Sequence, residues 1–117
     1  MATYAKDKLS GSTDGKGILI TATAIGSGTT IHTAQASASL FDLITLFASN
    51  PNATPYVLTI GWGGTTAPDD EIVQTIQGNS GLLLVVADLP LRNSLVVKGA
   101  TDTGSKVTIF GYITKIS

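Results

Sequence analysis

Residues 55–62, with the sequence PYVLTIGW, are the stretch that decides the fold class. Large apolar side chains occupy every second position, at Tyr56, Leu58, Ile60 and Trp62. A period of two residues is the side-chain period of a β-strand, because successive side chains point to opposite sides of an extended chain. The segment therefore predicts a strand, and its apolar side is a candidate for the core or for a subunit interface.

Seven further segments have the composition of strands and are separated by turn residues. They are residues 17–25, 29–34, 42–48, 71–76, 82–86, 95–100 and 106–116. The longer stretch 37–50 also comes close to helical spacing, but a strand over 42–48, followed by the turn at residues 50–52, is favoured because it could pair with 55–62. We expect 17–25 to form a hairpin with 29–34, and 42–48 to pair with 55–62. About eight short strands predict a single-domain, all-β antiparallel β-sandwich of jelly-roll-like type.

The N-terminal residues differ in composition from the rest of the chain. Residues 1–16 hold three lysines among Ser, Gly, Thr and Asp, and only Tyr4 and Leu9 could anchor them. Chain termini of this kind are commonly poorly ordered unless something holds them. We expect an extended N-terminal arm over residues 1–16, either disordered or ordered against a neighbour, and a sandwich domain over residues 17–117.

The middle of the chain carries very little charge. Residues 17–91 contain no lysine and no arginine, and charged residues make up 13% of the whole sequence, against roughly 25% in an ordinary soluble domain. Several predicted strands are also apolar on both sides. A two-layer sandwich buries only one side of each sheet. The second apolar side therefore predicts a third layer, most simply another subunit.

Composition argues against several partners and cofactors. The sequence has no cysteine, which excludes disulfides and thiolate metal sites. Its longest apolar run, residues 82–87, is far shorter than the ~20 residues of a membrane-spanning helix. Residues 1–16 carry a net charge of +1, residues 17–91 of −5 and residues 92–117 of +3, and such weak patches are not typical of nucleic-acid binding. We expect no membrane, nucleic-acid or cofactor partner.

Few residues could carry catalysis. His32 is the one histidine, in a Thr-rich segment with no acid nearby in the sequence, so a structural role is favoured over a general base. The cluster Asp69-Asp70-Glu71 could bind a cation, but it matches no calcium-loop pattern and a solvated loop is favoured. Trp62 is a core or interface residue in preference to a ligand platform. We therefore expect no enzymatic activity.

The stretch from residue 43 to the end resembles a group of small tailed-bacteriophage virion proteins. The motifs are a strand ending in an Ala-Ser-Asn turn at residues 48–50, the Gly-Gly-Thr-Thr loop at 63–66, the run LPLRNSLVV at 89–97 and the closing strand VTIFGYI at 107–113. The resemblance implies a capsid decoration, or cement, protein on the capsid exterior, a homotrimer whose partner is the major capsid protein. A tail, neck or fibre structural protein is one alternative, and a carbohydrate-binding sandwich using Trp62, Tyr56 and Asp69 is another.

The sequence offers two sets of candidate contact residues. Lys6, Lys8 and Lys16 in the arm are candidates for docking to the capsid. The candidates for the core or the subunit interface are Tyr56, Leu58, Ile60, Trp62, Phe110 and Tyr112. If the two surfaces are separate, reversing the charge of the three lysines should weaken docking and leave the trimer intact.

Overall fold

The computed structural model describes residues 2–117, which form two antiparallel β-sheets of nine strands in total. The strands are β1 Tyr4–Lys8, β2 Ile18–Leu19, β3 Thr29–Thr33, β4 Asp42–Ser49, β5 Tyr56–Trp62, β6 Glu71–Ile76, β7 Leu82–Leu91, β8 Val96–Thr101 and β9 Thr108–Ile116. A single 3₁₀ turn, Ile25–Ser27, precedes β3. The all-β antiparallel sandwich expected from the sequence is confirmed.

The order of the strands is that of a jelly roll. Sheet A has the order β1-β9-β4-β7, with the short β2 also paired to β9, and sheet B has the order β3-β8-β5-β6. Strands that follow one another along the chain thus alternate between the sheets for much of its length. Their connections cross from one layer to the other, as in the two Greek keys of a jelly roll.

The core lies between the two sheets and is built from alternate residues of each strand. In sheet A, Ile44 and Leu46 of β4 are fully buried, and in sheet B the same holds for Leu58 and Ile60 of β5. Gly99 of β8 lies beneath two isoleucine side chains, where an added Cβ would come within 2.9 Å of a side-chain carbon. Interiors packed to this density tolerate little added volume. The burial of Leu58 and Ile60 shows that the apolar side of β5, predicted from the period-two pattern, faces the core.

Two expected strand pairings are wrong. Residues 17–25 do not form a hairpin with 29–34, because only Ile18–Leu19 is a strand and it pairs with β9, while β3 pairs with β8. The segment after β2 crosses between the sheets instead. The Ile20 amide donates to the Val107 carbonyl, near sheet A, and the Ala22 carbonyl accepts from the amide of Thr101 in sheet B.

The second wrong pairing is that of residues 42–48 with 55–62. β4 lies in sheet A and β5 in sheet B, so the turn between them is a crossover. Asn50 stabilises this crossover: its buried side-chain amide donates to the carbonyls of Thr54, at 2.8 Å, and of Ile76, at 3.1 Å.

β7 also runs further than expected, to Leu91, and includes Pro90. An edge strand tolerates a proline because one side of its backbone is unpaired.

The N-terminal arm is partly a strand of the protein's own sheet. Residues 4–8 form β1, which pairs with β9 along its whole length. Leu9 then enters the core with 1% of its surface exposed. Beyond it, the Gly11 amide donates to the carbonyl of Ile31 in β3. The residues on β1 itself are all exposed. The arm thus packs against its own chain, and neither of the two expected arrangements, disorder or order against a neighbour, describes it.

Candidate functional site

Sheet A turns one side of its strands to the core and the other side away from it. Directly paired residues of antiparallel strands share a side of the sheet, so the register defines the members of each side. We call the side away from the core the outer face of sheet A. By register it comprises Tyr4, Lys6, Lys8, Leu43, Thr45, Phe47, Ser49, Leu82, Leu84, Pro90, Thr108, Phe110, Tyr112, Thr114 and Ile116. Asp88, bonded to Thr45, and the stacked pair Phe41 and Arg92 beyond the strand ends continue it.

Aromatic and aliphatic side chains form the middle of this face. Phe47 of β4 lies directly opposite Phe110 of β9, and on its other side it is paired with Leu84 of β7. Leu84 is 53% exposed and its neighbour on the face, Leu82, is 55% exposed. Both leucines lie on an edge strand, so the apolar surface continues to the margin of the sheet. Contiguous exposed apolar surface of this kind marks an interaction site.

Basic residues frame the aromatic rings. The Lys6 Nζ lies 4.4 Å from the centre of the Tyr112 ring, and the guanidinium carbon of Arg92 lies 4.4 Å from the centre of the Phe41 ring. Cations over ring faces are attracted by the negative potential of the π-system, and more strongly when water is excluded. Asp88 is the one carboxylate on the face, so the face is net positive.

The interface candidates divide between two places. Phe110 and Tyr112 lie on the outer face of sheet A, half-buried. Leu58 and Ile60 point into the core, and Tyr56 and Trp62 pack against it from the same side of β5. The indole Nε1 of Trp62 is 3.4 Å from the carbonyl oxygen of Pro90 in the other sheet, to which it donates. All four aromatic residues are half-buried, and the β9 pair is the part of the set that lies on the outer face of sheet A.

The docking candidates do not form a surface of their own. Lys6 and Lys8 belong to the outer face of sheet A, through their pairing with Thr114 and Tyr112. Lys16 lies in the loop before β2, next to a glycine that packs against the ring of Phe110. A partner that covers Phe110 and Tyr112 therefore also meets Lys6 and Lys8. The structure joins two surfaces that the sequence analysis kept apart.

His32 has an acidic partner that its sequence neighbourhood does not show. Its Nε2 lies 2.8 Å from the Asp42 Oδ2, and both side chains are buried. Its Nδ1 accepts from the amide of Ser10 at 2.9 Å, which assigns the ring proton to Nε2 as the donor to Asp42. The Asp42 carboxylate also accepts from the amide and the side chain of Gln35, each at 3.1 Å. This polar cluster ties β3 and β4, which belong to different sheets, to the N-terminal segment.

The cluster contains a serine, a histidine and an aspartate, but it is not arranged for nucleophilic catalysis. In a catalytic triad the serine hydroxyl donates to an imidazole nitrogen. Here the Ser10 amide bonds the ring, and the Ser10 Oγ accepts from the amide of Thr33 at 2.7 Å. Both ring nitrogens of His32 are occupied by structural partners. The structural role expected for His32 is thus the one that its hydrogen bonds support.

The acidic loop before β6 uses its carboxylates locally. The Asp70 Oδ2 accepts from the Thr66 amide at 3.2 Å, and the Asp70 carbonyl accepts from the Trp62 amide. Within residues 2–117, no three His, Asp or Glu side chains are grouped closely enough to share a metal ion. Nor do those residues form a helix that is long and apolar enough to span a membrane.

Comparisons with known proteins identified no relative of this chain. No protein-family model matches the sequence, and the searches of curated proteins and of solved structures returned no match. The fold and the outer face of sheet A therefore carry the functional conclusion.

Proposed function

We propose that this chain is a virion structural protein that acts as a homo-oligomer, most simply a capsid decoration protein. The observation that carries the proposal is the outer face of sheet A. In a jelly roll that packs its two sheets against each other, this face adds a second apolar layer that the chain leaves open at Leu82 and Leu84. Covering the exposed leucines beside Phe47 and Phe110 with another subunit is favourable, because it removes apolar surface from water.

The fold supports this proposal by analogy and the surface supports it by chemistry. Jelly rolls recur in viral capsids and in lectins, and the same architecture serves many functions, so the surface must discriminate. A broad, nearly flat face of aromatic, aliphatic and basic side chains suits contact with another protein surface. The proposal assigns the chain no catalytic role, since the group of Ser10, His32 and Asp42 is bonded as a structural cluster.

The resemblance to small phage virion proteins indicates which particle this chain would join. It implies the major capsid protein as the partner, the capsid exterior as the place and a trimer as the oligomer. A decoration protein stabilises a shell by mass action, because it binds the assembled lattice better than the free subunits. Such a protein needs one surface for its own copies and another for the capsid. The outer face of sheet A can supply the first, and the remaining surface of the sandwich can supply the second.

The test is binding of the purified protein to capsids that lack it. We expect saturable co-sedimentation with the capsids and a higher capsid melting temperature. Lys16→Glu should weaken this binding and leave self-association unchanged, whereas Lys106→Glu, in the loop before β9, serves as the matched control and should change neither. Absence of saturable binding to capsids would refute the decoration role.

The alternatives predict other outcomes of the same experiment. A tail, neck or fibre protein would bind isolated tails and not capsids. A carbohydrate-binding module would need its aromatic residues on an open surface, but Trp62 and Tyr56 face the core of the sandwich and Asp69 lies in the exposed loop before β6. Glycan-array binding abolished by Trp62→Ala without loss of the fold would favour the module nevertheless.

A further inference from the structure

We infer that the outer face of sheet A binds the same face of a second copy of this chain across a two-fold axis parallel to the strands. The inference rests on the proposed function only for the premise that copies of the chain associate. It does not depend on which particle they join. The face is self-complementary along its cross-strand rows, and this complementarity selects a second copy over an unrelated partner.

The central row carries opposite charges at its two ends. Lys8 of β1 pairs with Tyr112 of β9, and Tyr112 pairs with Thr45 of β4. The Thr45 hydroxyl lies within hydrogen-bonding distance of Asp88 of β7, accepting from its amide at 3.2 Å. The row therefore runs from a cation on one edge of the sheet to an anion on the other edge. Three inter-strand spacings put about 14 Å between these two strands, too far for the two side chains to pair within one molecule.

A two-fold axis reverses this row onto itself. With the axis between β9 and β4 and parallel to them, the β1 edge of one copy lies over the β7 edge of the other. Lys8 of each copy then faces Asp88 of the other, and the interface contains this ion pair twice. Packed sheets are offset by about 30°, which displaces the ends of the row by about 4 Å. A lysine side chain is long and flexible enough to span that displacement.

The neighbouring rows match in the same way. Tyr4 pairs with Ile116 at one edge of the sheet, and Arg92 stacks on Phe41 at the other. Reversal places Tyr4, which is 66% exposed, opposite the guanidinium of Arg92 in the second copy, where a further cation–π contact can form. The next row places the apolar stem of Lys6 against Pro90. No row brings two like charges together.

The face also has nearly the area that a stable interface requires. β9 is nine residues long, which gives about 30 Å along the strands, and four strands span about 19 Å, for a flat footprint of about 600 Å². Stable interfaces bury about 800 Å² on each partner, and the relief of side chains such as Leu84 adds to the flat figure. A two-fold contact gives a dimer on its own. Combined with the three-fold contacts of a trimer, with the two axes meeting at right angles, it gives a hexamer.

The test is charge reversal followed by mixing, read by sedimentation velocity. Lys8→Glu or Asp88→Lys alone puts like charges in both ion pairs, so each variant should associate at least tenfold more weakly than the wild type. An equimolar mixture of the two variants restores opposite charges at both contacts. The mixture should therefore associate within about threefold of the wild type, as mixed oligomers.

Controls separate this outcome from misfolding. Asp88 has a positive φ of 50°, a conformation that Asn tolerates well, so Asp88→Asn should weaken association without strain. Lys98 lies on the outer face of sheet B, so Lys98→Glu should leave association unchanged. The melting temperature of each variant checks that it is folded. Single variants that associate like the wild type, or a mixture no stronger than its components, would overturn the two-fold contact. Capsid binding tests the decoration role separately.

Discussion

Replacing Asp42 by alanine should destabilise the protein by about 4 kcal/mol. The Asp42 side chain is 3% exposed, and its carboxylate accepts from the Nε2 of His32 and from the backbone amide and side-chain amide of Gln35. The substitution leaves the buried His32 Nε2–H and the half-buried backbone amide of Gln35 without acceptors, and each unsatisfied donor costs about 1–3 kcal/mol. Domains of this size are stable by only about 5–15 kcal/mol, so the loss is a large share of the total.

Urea unfolding followed by the fluorescence of Trp62 measures this loss directly. The melting temperature should fall by about 15 °C, since 1 kcal/mol corresponds to about 4 °C in a domain of this length. The matched control is Asp69→Ala, which removes an exposed carboxylate from the loop before β6 and should change the stability by less than about 0.5 kcal/mol. A loss below about 1 kcal/mol for Asp42→Ala would show that the polar cluster does not hold the sheets together as described.

Two further substitutions test the packing of sheet A from opposite sides. Gly111→Ala should destabilise the fold by more than about 3 kcal/mol in chemical denaturation, because the added Cβ would overlap the backbone carbonyl of Thr45. The control is Gly26→Ala, which should be nearly neutral because Gly26 has open space around it. Leu84→Ser on the outer face should keep the free energy of unfolding of the monomer within about 0.5 kcal/mol and yet weaken self-association in light scattering. Val73→Ser, at a similarly exposed position on sheet B, should leave both the free energy of unfolding and self-association unchanged. Equal self-association of the two variants would refute a special role for the outer face of sheet A.

The fold class follows from local patterns that the sequence displays openly. Alternation at residues 56–62 and turn residues between short apolar segments suffice to predict strands and a sandwich. Strand partners do not follow in the same way, because pairing depends on where each connection takes the chain. The crossover held by Asn50 requires hydrogen bonds to Thr54 and Ile76. Nothing in the short turn at residues 50–52 distinguishes that crossover from a hairpin.

The candidate site was only half visible in the sequence. The apolar outer side of several strands predicted a further layer, but assigning Phe110 and Tyr112 to it required the register of β9 with β4. The pairing of β1 with that same strand, which brings Lys6 and Lys8 beside the rings, had no sequence signal. A signal for the polar cluster did exist: Asp42 falls on the inward side of β4 with Ile44 and Leu46, so a buried acid in need of a donor could have been inferred.

The mass of the unmodified protein in solution tests the central claim most directly. The claim is that this chain works as part of an assembly in which a second copy covers the outer face of sheet A. Sedimentation velocity over a concentration series should show even multiples of the 12.0 kDa chain, and Leu84→Ser should shift them toward half that mass. A single 12.0 kDa species at every concentration, unchanged by that substitution, would contradict the claim.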